Sequence, residues 1–295
     1  MNEQIKKIVF PIKNELDSFE LELKKIVSSN ENYLTLELSN FIFSSPKRLR
    51  VILVFLFSKI LLINSNLVQT IALALELTHS ASLVHDDIID NSNLRRNNPT
   101  FYKKFGSKAA VLIGDLFLSL VLEVLAKTNN EILSIFSYRI KKTLSGEIEQ
   151  SIFSCANKDE EQYFNKTFNK TGNLFLAGLE SLFTLKEIDK DKKQALVDFL
   201  VNYAIAFQLK NDLLDIESDI KNGNYTLVVL YFLQENSIED LNSNTNLDKY
   251  AKLAVRTIEN YRIKALEKLA VIEDSTYKKS LIELTNLTLG NLWKK

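Results

Sequence analysis

The sequence predicts a single all-α domain, on three observations. Glycine and proline are scarce, seven and three among 295 residues, and sheet-rich chains depend on both for their turns. Apolar residues recur at helical spacing along most of the chain, whereas no stretch of useful length alternates with the two-residue period of a half-buried strand. No internal repeat and no low-complexity linker divides it.

The elements follow in order. Residues 3–28 place Ile5, Ile8, Val9, Leu16, Phe19, Leu23, Ile26 and Val27 on a helical period. Ser44-Ser45-Pro46 offers a helix start with proline suited to the first turn. That helix continues from Lys47 until Ser65 and Asn66 break it. A long apolar helix then runs from Leu67 to Asp90 and ends in carboxylates, and Asn91 to Thr100, with Pro99, reads as a polar, basic loop. Further helices are expected at about 107–127, 130–155, 159–183, 190–217 and 225–235, with two more between about 247 and 291. Asn236 to Asn246, the most polar stretch, is expected to be a surface loop.

Charge and cysteine content narrow the function. Thirty-seven basic and 37 acidic side chains cancel to zero, which argues against a general nucleic-acid binder, since those carry a large basic excess. The single cysteine, Cys155, excludes a disulfide framework and a thiolate zinc site. The first residues mix charges where a signal peptide would be apolar. The most apolar run, Val51 to Ile63, is interrupted by Ser58 and Lys59 and falls short of the roughly 20 residues of a bilayer span. A second, Val111 to Ala126, carries Asp115 and Glu123. No membrane span and a cytoplasmic location are expected.

Chemistry concentrates at His85-Asp86-Asp87-Ile88-Ile89-Asp90. At about 100° per residue, Asp86 and Asp90 share one helix face, and His79, one heptad before Asp86, lies within about 20° of the same stripe. Carboxylates at the C-terminal end of an apolar helix also meet the negative pole of its dipole, so a cation should compensate them. Magnesium suits the pattern: it prefers oxygen ligands, keeps waters, and takes one or two carboxylates plus substrate phosphates. A solvated acidic helix end is the plainer alternative.

A partner motif follows in the second half. Gln208, Asp212 and Asp215 share a face of another apolar helix. Two acidic ends facing each other across a bundle would clamp metal ions around a diphosphate; the alternative is a polar helix end feeding the loop from Asp215 to Asn224. Lys47, Arg48 and Arg50 sit at a helix start, where free N–H groups and the dipole attract anions. Arg95 and Arg96 follow Asp90 closely enough to fold over its ligand, and guanidinium forks match phosphate oxygens.

In order, Lys47-Arg48-Leu49-Arg50, His79 through Asp90, Leu94-Arg95-Arg96, Gly114-Asp115, Gly146-Glu147 with Gln150, Lys170-Thr171, and Phe207-Gln208 leading into Asp212 and Asp215 resemble the motifs of the trans-isoprenyl diphosphate (polyprenyl) synthases. The resemblance runs from residue 40 to residue 235. It implies one helical bundle of the isoprenoid synthase type around a central hydrophobic cavity, Mg²⁺ dependence and a homodimer. It also implies successive condensation of isopentenyl diphosphate onto an allylic diphosphate such as farnesyl or geranyl diphosphate. Matched by position, Asp86 and Asp90 would hold Mg²⁺ on the allylic diphosphate, and Asp212 and Asp215 a further ion. Arg95, Lys170, Thr171 and Gln208 would contact the allylic substrate, and Lys47, Arg50, His79 and Arg96 would bind isopentenyl diphosphate. Asp86, Asp90, Lys170 and Asp212 would carry the catalysis. Metal ions and cations would stabilise the departing diphosphate, so no protein nucleophile is needed.

Three departures from the family pattern stand out. Asn211 occupies the position of the second motif's usual first aspartate. The loop after Asp215 is short, although Gly223-Asn224-Tyr225-Thr226 looks like the Gly-Asn-x-Thr of longer-chain members, and Pro46 precedes Lys47 where the family prefers glycine. Ala81 and Ser82 are small where aromatic side chains stop growth early, so a medium or long product is expected, such as octaprenyl diphosphate for a quinone side chain. A short-chain farnesyl or geranylgeranyl synthase is the alternative product class. His85 is read as a structural hydrogen-bonder beside Asp86. A metal phosphohydrolase would need a third histidine that the chain lacks. A regulatory subunit often loses the first acidic motif, which is intact here, and a terpene cyclase lacks the Lys47, Arg50 and His79 set.

Overall fold

The computed structural model describes residues 3–28, 34–44, 46–152, 160–221, 226–241 and 245–290. Apart from one two-stranded hairpin, the regular structure among them is helical, as the glycine-poor composition predicts. The chain forms two compact units, residues 1–136 with 177–187, and residues 137–176 with 188–295.

In the first unit the helix expected over residues 3–28 is divided. Pro11 has no N–H to donate, so α1 (Glu3–Val9) and α2 (Lys13–Ser28) are separated by a 3₁₀ turn at Phe10–Ile12. A helix that periodicity does not announce, α3 (Thr35–Phe43), is too short for that test; Phe41 fastens it, with its ring 5.0 Å from Phe101 and 5.9 Å from Phe117. Next, α4 (Leu49–Ile60) begins later than the expected Pro46–Lys47 start, because Arg48 adopts a left-handed conformation (φ 51°, ψ 25°). Pro46 therefore lies outside the first turn. Every side chain from Val51 to Ser58 is buried, so α4 is apolar all round and runs through the interior.

Helix α5 (Leu67–Ile89) packs most extensively against α6 (Phe101–Leu125). By length and composition alone α5 could cross a membrane, yet 67% of its most apolar stretch is buried. The expected start of α6 near residue 107 is in fact a kink at Gly106 (φ 79°); a further turn precedes it, capped by Thr100, whose hydroxyl accepts the Lys103 N–H at 3.1 Å. Close packing reaches residue 178, where a β-carbon on Gly178 would come within 2.6 Å of Leu75 and 2.7 Å of Val54.

The second unit holds most of α7 (Asn130–Ile152) and α8 (Glu160–Phe183), then α9 (Lys190–Leu214), α10 (Ile216–Lys221), α11 (Leu227–Glu235), α12 (Asp248–Lys268) and α13 (Thr276–Leu289). The helix expected over 190–217 stops at Leu214, with Asp215 as its C-cap. Its core is an aromatic stack along α9: Phe199, Tyr203 and Phe207 lie nearly parallel at 5.8 and 6.1 Å, with Phe175 edge-on. Burying each such ring is worth about 1.5–3 kcal/mol, plus about 0.5–1.5 kcal/mol per well-placed pair. The polar stretch after Asn236 carries a 3₁₀ turn, Ile238–Asp240, closed by a capping box from Ser237.

Candidate active site

In the first unit, α5 closes in a Schellman arrangement. Asn91 takes the left-handed conformation (φ 49°), its N–H donates to Ile88 O at 3.2 Å, and the Ser92 N–H donates to Asp87 O at 2.9 Å. The helix thus stops just past its carboxylates, with Asp86 half-buried and Asp90 exposed. Asp87 lies about 100° round the helix and is 1% exposed. It takes Arg95 at three contacts: Nε to Oδ1 at 2.9 Å and to Oδ2 at 3.1 Å, and Nη2 to Oδ1 at 2.8 Å. Burial pushes the Asp87 carboxyl up, the Arg95 hydrogen bonds and charge pull it back, and Asp90 adds to the rise. The adjacent aspartates therefore divide their work: Asp87 braces Arg95, while Asp86 pairs with Asp90 on the outward stripe.

Arg95 itself sits in a hairpin where a loop was expected. Leu94–Arg95 (β1) pairs antiparallel with Asn98–Pro99 (β2), and Arg96 and Asn97 are both left-handed (φ 51° and 64°), as a two-residue type I′ turn requires. The turn carries Arg96 to the carbonyl of Ser44, where Nη1 donates at 3.0 Å. Burial lowers the Arg96 guanidinium, with Arg95 and Arg48 adding to the effect and Glu76 opposing it.

The basic run at the start of α4 also divides. Arg48 is buried; Nε and Nη2 grip Glu20 at 2.7 and 2.9 Å, and Nη1 donates to Glu76 at 2.6 Å. Burial lowers the Arg48 guanidinium, but the two glutamates outweigh it and the net shift is upward. Arg48 is structural, and Lys47 (exposed) and Arg50 (half-buried) remain as ligand candidates. His79 lies one heptad behind Asp86, its Nδ1 buried with no hydrogen-bond partner among the described residues. Burial, then the charges of Arg50, Arg96, Arg95 and Arg48, hold the imidazole well below its usual range. Four guanidiniums acting on one neutral imidazole mark a place suited to an anion. His85 turns to α6, with Nε2 3.6 Å from Asp115 Oδ1.

In the second unit, Gly146 lets α7 approach α8: a β-carbon there would meet that of Asn169 at 3.1 Å. Glu147 is thereby brought to 3.2 Å from Lys170. One residue on, the Thr171 hydroxyl donates to Gln208 Oε1 at 2.5 Å, and Gln208 Nε2 donates to Asp212 Oδ1 at 2.7 Å. The Tyr163 hydroxyl donates to Asp212 Oδ2 at 2.6 Å. Burial pushes the Asp212 carboxyl up, while Tyr163, Gln208, Lys170 and Lys166 oppose the rise. Lys170, Thr171, Gln208 and Asp212, widely separated in sequence, thus adjoin on α8 and α9. Asp215 caps α9 and is exposed. Lys210 binds the carbonyls of Thr288 and Gly290 at 2.8 and 3.2 Å, anchoring the end of α13.

Tyr163 is the residue that sequence reasoning missed. Its signal was its position one heptad before Lys170, on the same face of α8 as Thr167. The Gln150 side chain, Cys155, Gly223 to Tyr225, Lys294 and Lys295 lie outside the described residues.

Among the described residues no three His, Cys, Asp or Glu side chains gather closely enough to hold a metal by themselves. The oxygen-only pair at the end of α5 still fits Mg²⁺, which completes its shell with substrate oxygens and water. The hydrogen-bonded, half-buried carboxylate of Asp212 is a further oxygen donor of the same kind.

Comparison with known proteins finds a family and similar structures. A family model described as polyprenyl synthetase matches residues 32–260. A prenyl transferase of Cyanophora paradoxa is 33% identical over 249 residues, covering 79% of this chain and 77% of that one. Heptaprenyl diphosphate synthase component 2 of Bacillus subtilis (strain 168) is 28% identical, covering 95% and 84%. The crystal structure of heptaprenyl diphosphate synthase from Staphylococcus aureus superposes with a TM-score of 0.84 at 28% identity, covering 94% and 97%.

Proposed function

The chain belongs to the polyprenyl synthetase family, and from that premise we propose that it condenses isopentenyl diphosphate with farnesyl or geranyl diphosphate to build a medium or long all-trans polyprenyl diphosphate. The observation that carries the reading is the cluster around His79, where Arg50, Arg95 and Arg96 bear on a half-buried imidazole with a buried, unpartnered Nδ1, one heptad behind Asp86. Such a cluster favours a polyanion.

In this reading Lys47, Arg50, His79 and Arg96 hold the diphosphate of isopentenyl diphosphate. Arg95, braced by Asp87, and Lys170, braced by Glu147, bind the allylic diphosphate together with Thr171 and Gln208. Their charges stabilise the leaving group as the allylic carbon–oxygen bond breaks and the electron pair departs with the diphosphate. The isopentenyl double bond then attacks the allylic cation, and loss of a proton to the released diphosphate completes the step. Mg²⁺, held by Asp86 and Asp90 and by Asp212 and Asp215, would supply further neutralisation of that diphosphate.

The same reading makes the enzyme a cytoplasmic homodimer whose product becomes a quinone side chain. Val111, Leu112 and Leu122 expose apolar surface along α6, which suits burial against a second copy. A second reading, one component of a two-chain enzyme, takes its support from the name of the B. subtilis relative. The test supplies purified protein with Mg²⁺, farnesyl diphosphate and labelled isopentenyl diphosphate and sizes the extracted lipids. Chains several isoprene units longer than the primer are expected; no elongation at any Mg²⁺ concentration would overturn the homodimer reading in favour of the component.

A further inference from the structure

We propose that Tyr163 is the positioning residue of the second acidic motif, its buried hydroxyl fixing one carboxylate oxygen so that Asp212 is held ready for a cation. The inference rests on the functional reading above. Tyr163 is 8% exposed on α8. A phenol has one proton to give, and this one goes to Asp212 Oδ2, at 2.6 Å.

The other oxygen of Asp212 is fixed by equivalent logic. Thr171 donates to Gln208 Oε1, which turns the amide so that Nε2 faces Asp212 Oδ1. Each carboxylate oxygen thus receives one protein donor and keeps lone-pair capacity for a cation. Asn211 adds no charge beside it and Asp215 is exposed, so the orientation of Asp212 decides how well this end of α9 holds an ion. Two helices therefore meet at this hydroxyl: α8 supplies it and α9 presents the carboxylate that it steers.

The test compares Tyr163→Phe with Tyr231→Phe. The control also loses one hydroxyl hydrogen bond in the same unit, to Thr257 at 2.8 Å, but touches no carboxylate. Mn²⁺ binding is measured by electron paramagnetic resonance with farnesyl thiolodiphosphate, an unreactive substrate analogue, and elongation is measured across a Mg²⁺ titration. Tyr163→Phe should weaken Mn²⁺ about tenfold or more, as removal of an outer-shell partner does, and raise the Mg²⁺ requirement and the allylic KM more than it lowers kcat. Tyr231→Phe should bind Mn²⁺ like wild type. Equal Mn²⁺ affinity in Tyr163→Phe and wild type, or equal losses in both tyrosine variants, would overturn the proposal. A wild-type protein that elongates but binds no Mn²⁺ with the analogue would overturn it too, while leaving the functional reading standing.

Discussion

His85 rests directly on Gly114: a β-carbon at 114 would lie 2.1 Å from Nε2 and 2.5 Å from Cδ2 of the imidazole. Hydrogen is the only side chain that leaves room for the ring, and the ring precedes Asp86 on α5. Gly114→Ala should therefore cost about 1–3 kcal/mol of stability, as overpacking does, and slow elongation by shifting the end of α5. Thermal melting and steady-state rates check both effects. An unchanged melting temperature would show that the ring has another position to occupy.

Arg48 and Lys47 are neighbours with opposite expected phenotypes. Arg48→Met leaves Glu76, whose side chain is 9% exposed, without its partner, and such a loss costs about 3–5 kcal/mol. Lys47→Ala removes an exposed cation, so stability should stay within about 0.5 kcal/mol while the KM for isopentenyl diphosphate rises. Urea unfolding of the two variants separates the roles; similar midpoints would contradict them.

Acid should weaken the fold through His79. Burial and the arginine charges depress its native pKa, so below pH ~6.5 the unfolded chain binds this proton more readily than the folded one. The His79 contribution is fully present above pH ~6.5 and drains away as pH falls towards the native value. Asp87 and Asp212, whose carboxyls are raised, act in the opposite sense at lower pH, so the difference between variants isolates the histidine. His79→Gln should flatten the slope of melting temperature against pH just below 6.5. A variant that keeps the wild-type slope would assign the effect elsewhere.

Product length should respond to Ser82 more cleanly than to Ala81. Ala81 is 1% exposed, whereas Ser82 is half-buried. Ala81→Phe should shorten the polyprenyl chain and also cost about 1–3 kcal/mol through overpacking. Ser82→Phe should shorten it with little change in melting temperature. Chromatography of the extracted lipids decides; unchanged lengths in both variants would remove this turn of α5 from the wall of the growing product.

The helices were legible because apolar spacing is a direct print of burial, and the acidic motifs because charge at the end of an apolar helix is costly. What escaped was the work of single groups. Glu76 is an acid inside an apolar run, which sequence spacing registers only as an interruption; the structure shows it paired with the buried Arg48. Asp87 reads as part of a triplet, yet its rotation about the helix axis takes it out of the site and into the support of Arg95. Tyr163 escaped because an aromatic residue in an amphipathic helix reads as core. The type I′ turn at Arg96-Asn97 lacks the glycine that normally announces one.

That turn also governs how this enzyme could be spliced or recombined. Arg95 reaches back to one carboxylate while Arg96 reaches forward to the carbonyl of Ser44, and their divergence depends on a connection of two residues between β1 and β2. An insertion or deletion of one residue would put the two guanidiniums out of phase, whatever letters were used. Chimeras that exchange this segment must preserve its length before its composition.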